Sequence, residues 1–309
     1  MTARSTELRL RGAGGEPVDL WRTLVSHGFT DLAPLRVDEA ARTLDVTIRR
    51  RRGRPRRLRI APARARRAGV TVLGGPAPSA EALGELAAAA AHVLRLDQDL
   101  SGFYAIANDD PDLAWVTTGA GRMLRSPTVW EDVVKTVCTT NCSWSLTVTM
   151  VNALVRTLGE PAVGHELDPL THAFPTAAAM AAQDERFYRE VVRSGYRAPN
   201  LLRLAELEAS GEVELEDLGA TTREELPDDE VERRLLALPG VGPYAAAHIM
   251  MTLGRNSRLI LDSWTRPTYA RLAGARRVPA DATIARRFRR YGADAGLAFW
   301  LFVTRDWVP

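Results

Sequence analysis

Leu238-Pro239-Gly240-Val241-Gly242 decides how this chain is read, together with Leu259-Ile260-Leu261-Asp262-Ser263-Trp264 further on. The first stretch separates two helical patterns. Asp228–Ala237 places Val231, Leu235 and Leu236 at helical spacing, and a second helix opens at Pro243, whose missing N–H costs nothing in a first turn. Two glycines in five residues permit a tight hairpin and let backbone approach a bulky partner closely. The N–H groups at the start of the second helix then point outward with the positive end of the helix dipole behind them, which suits a phosphate. In the second stretch a carboxylate follows a short apolar run, where it would cap the next helix, twenty positions after Gly242.

These two stretches carry a family resemblance. Residues 238–272 resemble the helix-hairpin-helix and catalytic-aspartate region of the DNA glycosylase superfamily that includes endonuclease III and the adenine, 8-oxoguanine and 3-methyladenine glycosylases. A further stretch, Pro127-Thr128-Val129-Trp130-Glu131 with Val137-Cys138-Thr139-Thr140-Asn141-Cys142, resembles the helix pair bearing the DNA wedge of the 8-oxoguanine branch. The likeness is specific over roughly 125–160 and 228–275, and only architectural elsewhere. It implies an enzyme that flips a damaged or modified base out of double-stranded DNA and hydrolyses its N-glycosidic bond. It also implies DNA contacts at Gly240, Val241, Gly242, Tyr244 and Asn141, and leaves room for a monovalent cation at the hairpin.

N-glycosidic cleavage builds positive charge on the sugar, so a fixed carboxylate stabilises the transition state and can orient or deprotonate the attacking water. Asp262 is the candidate for both roles; a plain helix cap is the competing reading of the same residue. Bifunctional members of the superfamily carry a lysine two positions after the second hairpin glycine, where this chain has Tyr244. A phenol cannot form a Schiff base, so the resemblance implies a monofunctional enzyme. Lys135, the sole lysine, lies by resemblance on the helix leading to the wedge. It either contacts the flipped base or serves as a displaced nucleophile, or it is a partly exposed helix lysine paired with Glu131 at i, i+4. Candidate base-stacking aromatics are Trp130, Trp144, Trp264, Phe103 and Tyr104, with Trp144 and Trp264 foremost; Trp300 and Trp307 read as packing in the last helix. An electron-rich aromatic pocket favours cationic alkylated purines. Two rival readings stand beside this one: a glycosylase with lyase activity through Lys135, and a catalytically silent DNA-damage-binding protein.

Outward from the motifs, residues 1–75 read as β-rich. Leu44–Ile48 and Leu58–Ile60 alternate apolar and polar residues around a turn at Arg52-Gly53-Arg54-Pro55, and Val70–Leu73 offers a third strand. A helix follows from Ser79, and beyond it β signals nearly vanish. Helical patterns run over 128–158, 175–183, 198–210, 228–237, 243–253, 263–272, 281–291 and 297–306. The expected fold is α+β and mainly α. A small antiparallel sheet with a linking helix occupies 1–95, and a helical glycosylase domain occupies 96–309.

Composition agrees with a folded soluble chain: 46% hydrophobic and 26% charged residues over 309 positions argue against disorder and allow one large or two smaller cores. No apolar run reaches membrane-spanning length and no signal peptide opens the chain, so the expectation is a cytoplasmic monomer without membrane partners. Cys138 and Cys142, the only cysteines, cannot supply an iron–sulfur cluster or a zinc site, and read as reduced thiols in a helix; no cofactor is expected. The run Arg49–Arg67 serves either DNA backbone contact or as a solvated β-ribbon, and a second arginine cluster lies at Arg286–Arg290.

Overall fold

The computed structural model describes residues 4–307; the outermost positions of the two expected domains, 1–3 and 308–309, lie outside the described residues. The chain is α+β and mainly α, with a five-stranded antiparallel sheet followed by helices. Strand β1 (Ser5–Arg9) is followed by the short helix α1 (Leu20–Leu24), then β2 (Arg36–Asp38), β3 (Thr43–Ile48), β4 (Arg56–Ala63) and β5 (Arg67–Leu73). The strand order is β1-β5-β4-β3-β2. Register places Val46 opposite Leu58 and Leu58 opposite Val72, so these side chains share one face. That face is fully buried with Leu86, Ala90 and Val93 of α2 (Ala80–Val93), whose first turn is capped by the Ser79 hydroxyl.

The helical part comprises α3 (Ser101–Asn108), α4 (Val129–Thr139), α5 (Trp144–Leu158), α6 (Ala177–Ala181), α7 (Glu185–Glu190), α8 (Ala198–Ser210) and α9 (Leu215–Ala220). It continues with α10 (Asp228–Leu236), α11 (Pro243–Thr252), α12 (Thr265–Leu272), α13 (Asp281–Phe288) and α14 (Ala295–Val303). Two apolar cores organise them. One gathers α4, α5, α8 and α10; the other gathers α3 and α12 to α14. Helix α11 belongs to both, giving Ala245, Ala246, Ile249 and Met250 to the first and Ala247 and Met251 to the second. It is buried on every side from Ala245 to Thr252, as a helix wedged between two layers must be. The N-terminal region also reaches this centre: the single-turn segment Gly28–Asp31 inserts Phe29 into the first helical core.

The arginine run forms the β3–β4 hairpin and is largely neutralised by the protein itself. Arg49 pairs with Glu160, Arg50 with Glu85 at 3.2 Å, Arg54 with Glu166 at 2.9 Å and Arg59 with Asp45 at 2.7 Å. Arg56 and Arg57 are buried and donate to the carbonyls of Pro76 (2.7 Å) and Pro34 (3.0 Å). In the second cluster Arg287 pairs with Asp112 and Arg290 with Asp110. Both cysteines are free thiols. Cys138 lies inside α4, but Cys142 lies beyond its end, because the helix stops at Thr139 and Asn141 takes a left-handed φ of 47°. The expectation of two thiols in one helix is corrected accordingly. No helix among the described residues is long and apolar enough to cross a membrane.

Candidate active-site cleft

A cleft of about 1260 Å³ opens between the two helical cores, bounded by the α4–α5 connection, the start of α11, the start of α12 and the end of α14. The hairpin supplies one edge. Gly240 has φ +80°, and a Cβ there would meet Asn200 and Val137 at 3.2 Å, so both conformation and packing demand glycine. Around Gly242, by contrast, an added Cβ meets nothing within 4 Å, leaving the backbone open to a partner. Gly242 precedes α11 without a side-chain cap, and Pro243 fills the first position as the sequence predicts. The first-turn N–H groups therefore present an uncapped positive helix end. Val241 is buried and anchors the turn in the first helical core.

Asp262 stands across the cleft from the hairpin helix, partly buried. Its Oδ1 accepts the backbone N–H groups of Trp264 (2.8 Å) and Thr265 (2.6 Å), while its own N–H donates to the Thr265 hydroxyl (2.8 Å). This reciprocal capping starts α12 at Thr265, two residues later than the pattern suggests, and locks the carboxylate. The Arg266 guanidinium, which also lines the cleft, feels the negative charge of this carboxylate. Tyr244, the second residue of α11, lines the cleft as well. Burial pushes its phenol up from the ordinary value, and the negative charge of Asp262 adds to that direction, while a hydrogen bond with Thr139 opposes it.

The aromatic candidates divide. Trp144 and Trp264 line the cleft and are 41% and 40% exposed, unusual for indoles and suited to a partner's stacking surface. Trp144 packs against Gly28, where an added Cβ would come within 3.0 Å of its ring. Trp130, Phe103 and Tyr104 do not reach the cleft. Trp130 is buried against a separate cavity of about 180 Å³ and donates to the Pro175 carbonyl at 2.9 Å. Phe103 and Tyr104 belong to the second helical core, with the Tyr104 hydroxyl donating to the Ala120 carbonyl at 2.6 Å. Helical spacing turned all three inward. Trp300 packs in the second helical core as read from sequence, Trp307 lies beyond the end of α14 rather than in the last helix, and both line the cleft beside Trp264, with ring centroids 6.1 and 5.4 Å from it.

Lys135 is also away from the cleft. Its side chain has no exposure, and Nζ donates to Glu131 Oε1 at 2.6 Å and to the Leu32 carbonyl at 3.4 Å. The expected pairing with Glu131 is present, but the partial exposure is corrected to full burial, because α4 is enclosed on all sides by the first core. Burial pushes the Glu131 carboxyl up, and Lys135 counteracts this.

Sequence reasoning missed several lining residues. One is Tyr196, which is 55% exposed at the cleft rim with the Arg197 guanidinium 4.5 Å from its ring centre, and whose hydroxyl accepts from the expected DNA contact Asn141 at 3.4 Å. Phe29, Asp31 and His248 also belong to the lining. Only an exposed tyrosine next to an arginine in a short Gly195–Arg197 turn could have flagged this rim, and nothing in sequence ties it to Asn141. Among the described residues, no three His, Cys, Asp or Glu side chains converge as a metal site.

With this geometry in place, the likeness to solved structures is extensive. No protein-family model and no curated protein sequence matches the chain. Among solved structures, 3-methyladenine DNA-glycosylase from Archaeoglobus fulgidus superposes with a TM-score of 0.72 at 20% identity, covering 98% of this chain and 100% of that one. The Clostridium acetobutylicum 8-oxoguanine glycosylase/lyase in its apo form gives 0.72 at 17% identity, covering 97% and 96%. MBOgg1, solved with a low-affinity DNA ligand, gives 0.73 at 16%, covering 99% and 97%. The chain has the fold of these DNA glycosylases over its whole described length.

Proposed function

We propose that this protein is a monofunctional DNA glycosylase that extrudes a damaged base from duplex DNA and hydrolyses its N-glycosidic bond, with Asp262 as the catalytic carboxylate. The observation that carries this reading is the Asp262 side chain, held by two backbone N–H groups through Oδ1 while the residue lines the aromatic cleft. A carboxylate so fixed stabilises an oxocarbenium-like sugar without reorganising. The uncapped start of α11 and the open backbone at Gly242 suit a DNA phosphate. Asn141 and Tyr196 at the rim suit the gap that an extruded base leaves behind.

Hydrolysis without strand cleavage is supported by the lysine inventory. Lys135 is the only lysine, and it is sealed in the α4 core, so no lysine amine lines the cleft to form a Schiff base. Alkylated purines are the favoured substrates, because Trp144, Trp264, Trp300 and Trp307 surround a cleft that also holds Asp262, and a cationic base gains from both. The test is base release from duplex oligonucleotides carrying a lesion panel, wild type against Asp262→Asn. An asparagine Oδ1 keeps the cap, so loss of release with retained stability and DNA affinity identifies chemistry. Binding by both proteins without release by either favours the silent damage-binding reading, in which Asp262 is only a cap.

A further inference from the structure

The threonine side chains of the cleft are already committed to the protein's own backbone. The hydroxyl of Thr139 donates to the Thr136 carbonyl (2.7 Å), that of Thr140 to Val137 (2.8 Å) and that of Thr147 to Cys138 (3.1 Å). His248 differs. It lies one turn beyond Tyr244 on α11 and lines the cleft, is 7% exposed, and its Nδ1 is buried with no hydrogen-bond partner among the described residues. One other lining residue shares this condition, Arg197 through Nη2, but Arg197 is tied to the rim by Thr140 and Tyr196.

A histidine this buried is ordinarily held by a hydrogen bond that fixes its tautomer. His248 is instead held by stacking. Its ring lies 4.7 Å from that of Phe29 at 21°, with His27 at 5.7 Å and Tyr244 at 6.1 Å meeting it edge to face. His27 sets this arrangement: its Nε2–H donates to the Leu124 carbonyl at 2.6 Å and its Nδ1 accepts the Phe29 N–H at 3.3 Å, so Phe29 cannot drift. Burial, then the neighbouring His27, holds His248 uncharged, with a pKa lowered to about 3. A neutral imidazole offers one donor and one acceptor, and a turn about Cβ–Cγ exchanges its edges without leaving the stacking plane.

We propose that His248 is a specificity-determining residue of the cleft, whose imidazole reads the polar edge of the extruded base through a ring nitrogen, so that selection is by edge as well as by stacking. The inference rests on the glycosylase reading. The base class it fits is a purine whose inserted edge carries a hydrogen-bonding group; an uncharged imidazole also admits a cationic purine without repulsion.

The test uses two variants of the full chain. His248→Phe keeps a ring on Phe29 and removes both nitrogens, while His248→Asn restores a polar group near the Nδ1 position. Single-turnover release is measured from duplexes carrying 7-methylguanine, 1,N6-ethenoadenine or hypoxanthine. The expected result is a loss of roughly tenfold or more for His248→Phe on the best-released base, a collapse of the wild-type ranking, unchanged duplex affinity, and recovery of rate and ranking in His248→Asn. Wild-type rates and ranking in His248→Phe overturn the inference; if that variant fails to fold, a His248→Asn ranking identical to one obtained with a folded His248→Leu overturns it. If wild type releases none of the three bases, the function reading falls first, and the inference is decided separately by the side-chain 15N signal of His248 during titration with free 7-methylguanine. A shift of that signal supports edge reading, and its absence ends it.

Discussion

The arginine hairpin between β3 and β4 and the glycine hairpin before α11 present opposite faces of the same problem. The first carries the densest positive charge in the chain, yet the guanidinium groups of Arg49, Arg50, Arg54 and Arg59 face Glu160, Glu85, Glu166 and Asp45, and those of Arg56 and Arg57 lie buried on backbone carbonyls. The second carries no formal charge over Leu238–Pro243, yet it offers open backbone and an uncapped helix start beside a wide aromatic cleft. Charge density along a sequence thus reports how much cation there is, not how much is left over for a partner. What a phosphate meets is the unpaired remainder, and backbone N–H groups can supply it as well as arginine can.

The largest effect that would break this comparison lies at the cleft. Asp262→Asn should reduce base release by roughly 10²- to 10³-fold while the salt dependence of DNA binding stays put. A variant that still releases base at the wild-type rate would remove the cleft's claim altogether. Next comes Gly240→Val at the hairpin. A β-branched residue at φ +80°, crowded against Asn200 and Val137, should distort the turn and weaken duplex binding. Duplex affinity equal to wild type, measured by anisotropy on a folded variant, would transfer the DNA interface elsewhere.

The buried lysine sharpens the contrast from the stability side. Lys135→Met leaves Glu131 without its partner in a sealed core, and should cost about 3–5 kcal/mol in denaturant unfolding. Because burial raises the Glu131 carboxyl, its folded-state pKa lies above the unfolded one. The variant's deficit should therefore shrink as the pH falls toward the carboxyl range, where Glu131 accepts a proton in the fold. Histidines set the opposite slope in the wild type. His27 and His248 are lowered from 6.5 to about 4 and about 3, so the unfolded chain binds protons that the native one does not. Stability should be fully present above pH 6.5 and fall progressively below it, with His248→Phe flattening part of that loss in thermal melts.

Much of the fold could be read along the chain because its elements carry strong local signals. The alternation in Leu44–Ile48, the Ser79 cap, and the Pro243 start each describe a decision made within one turn or strand. Edge strands β1 and β2 and the short helices α1, α3, α7 and α9 escaped, since elements of three to eight residues hold too little periodicity and depend on packing. In the site, Asp262, Tyr244 and the two hairpin glycines were legible as a motif. The aromatics were legible in part: Trp144 and Trp264, foremost by sequence, line the cleft, whereas Trp130, Phe103 and Tyr104 do not. Trp130 and Trp144 stand on neighbouring helices, and the fold buries the first beside a separate cavity while the second meets Gly28 at the cleft. His248 reads as one more apolar-face histidine until Phe29, more than two hundred positions away, is stacked on it.

The smallest predicted effect tests the arginine hairpin itself. Arg54 is half-exposed and bonded to Glu166, and Arg59 is similarly placed against Asp45. If the run is neutralised within the protein, Arg54→Gln and Arg59→Gln should leave the slope of log Kd against log salt unchanged, since neither residue displaces a counterion from DNA. A true phosphate contact would lower that slope by about one per arginine removed. Stability should move little in either variant, because exposed ion pairs contribute weakly against solvent and salt. A slope that drops with Arg54→Gln would mean that DNA outcompetes Glu166 for the guanidinium on binding. The neutralised run would then be a reserve of charge released by the partner, and the two hairpins would act together on the duplex rather than in contrast.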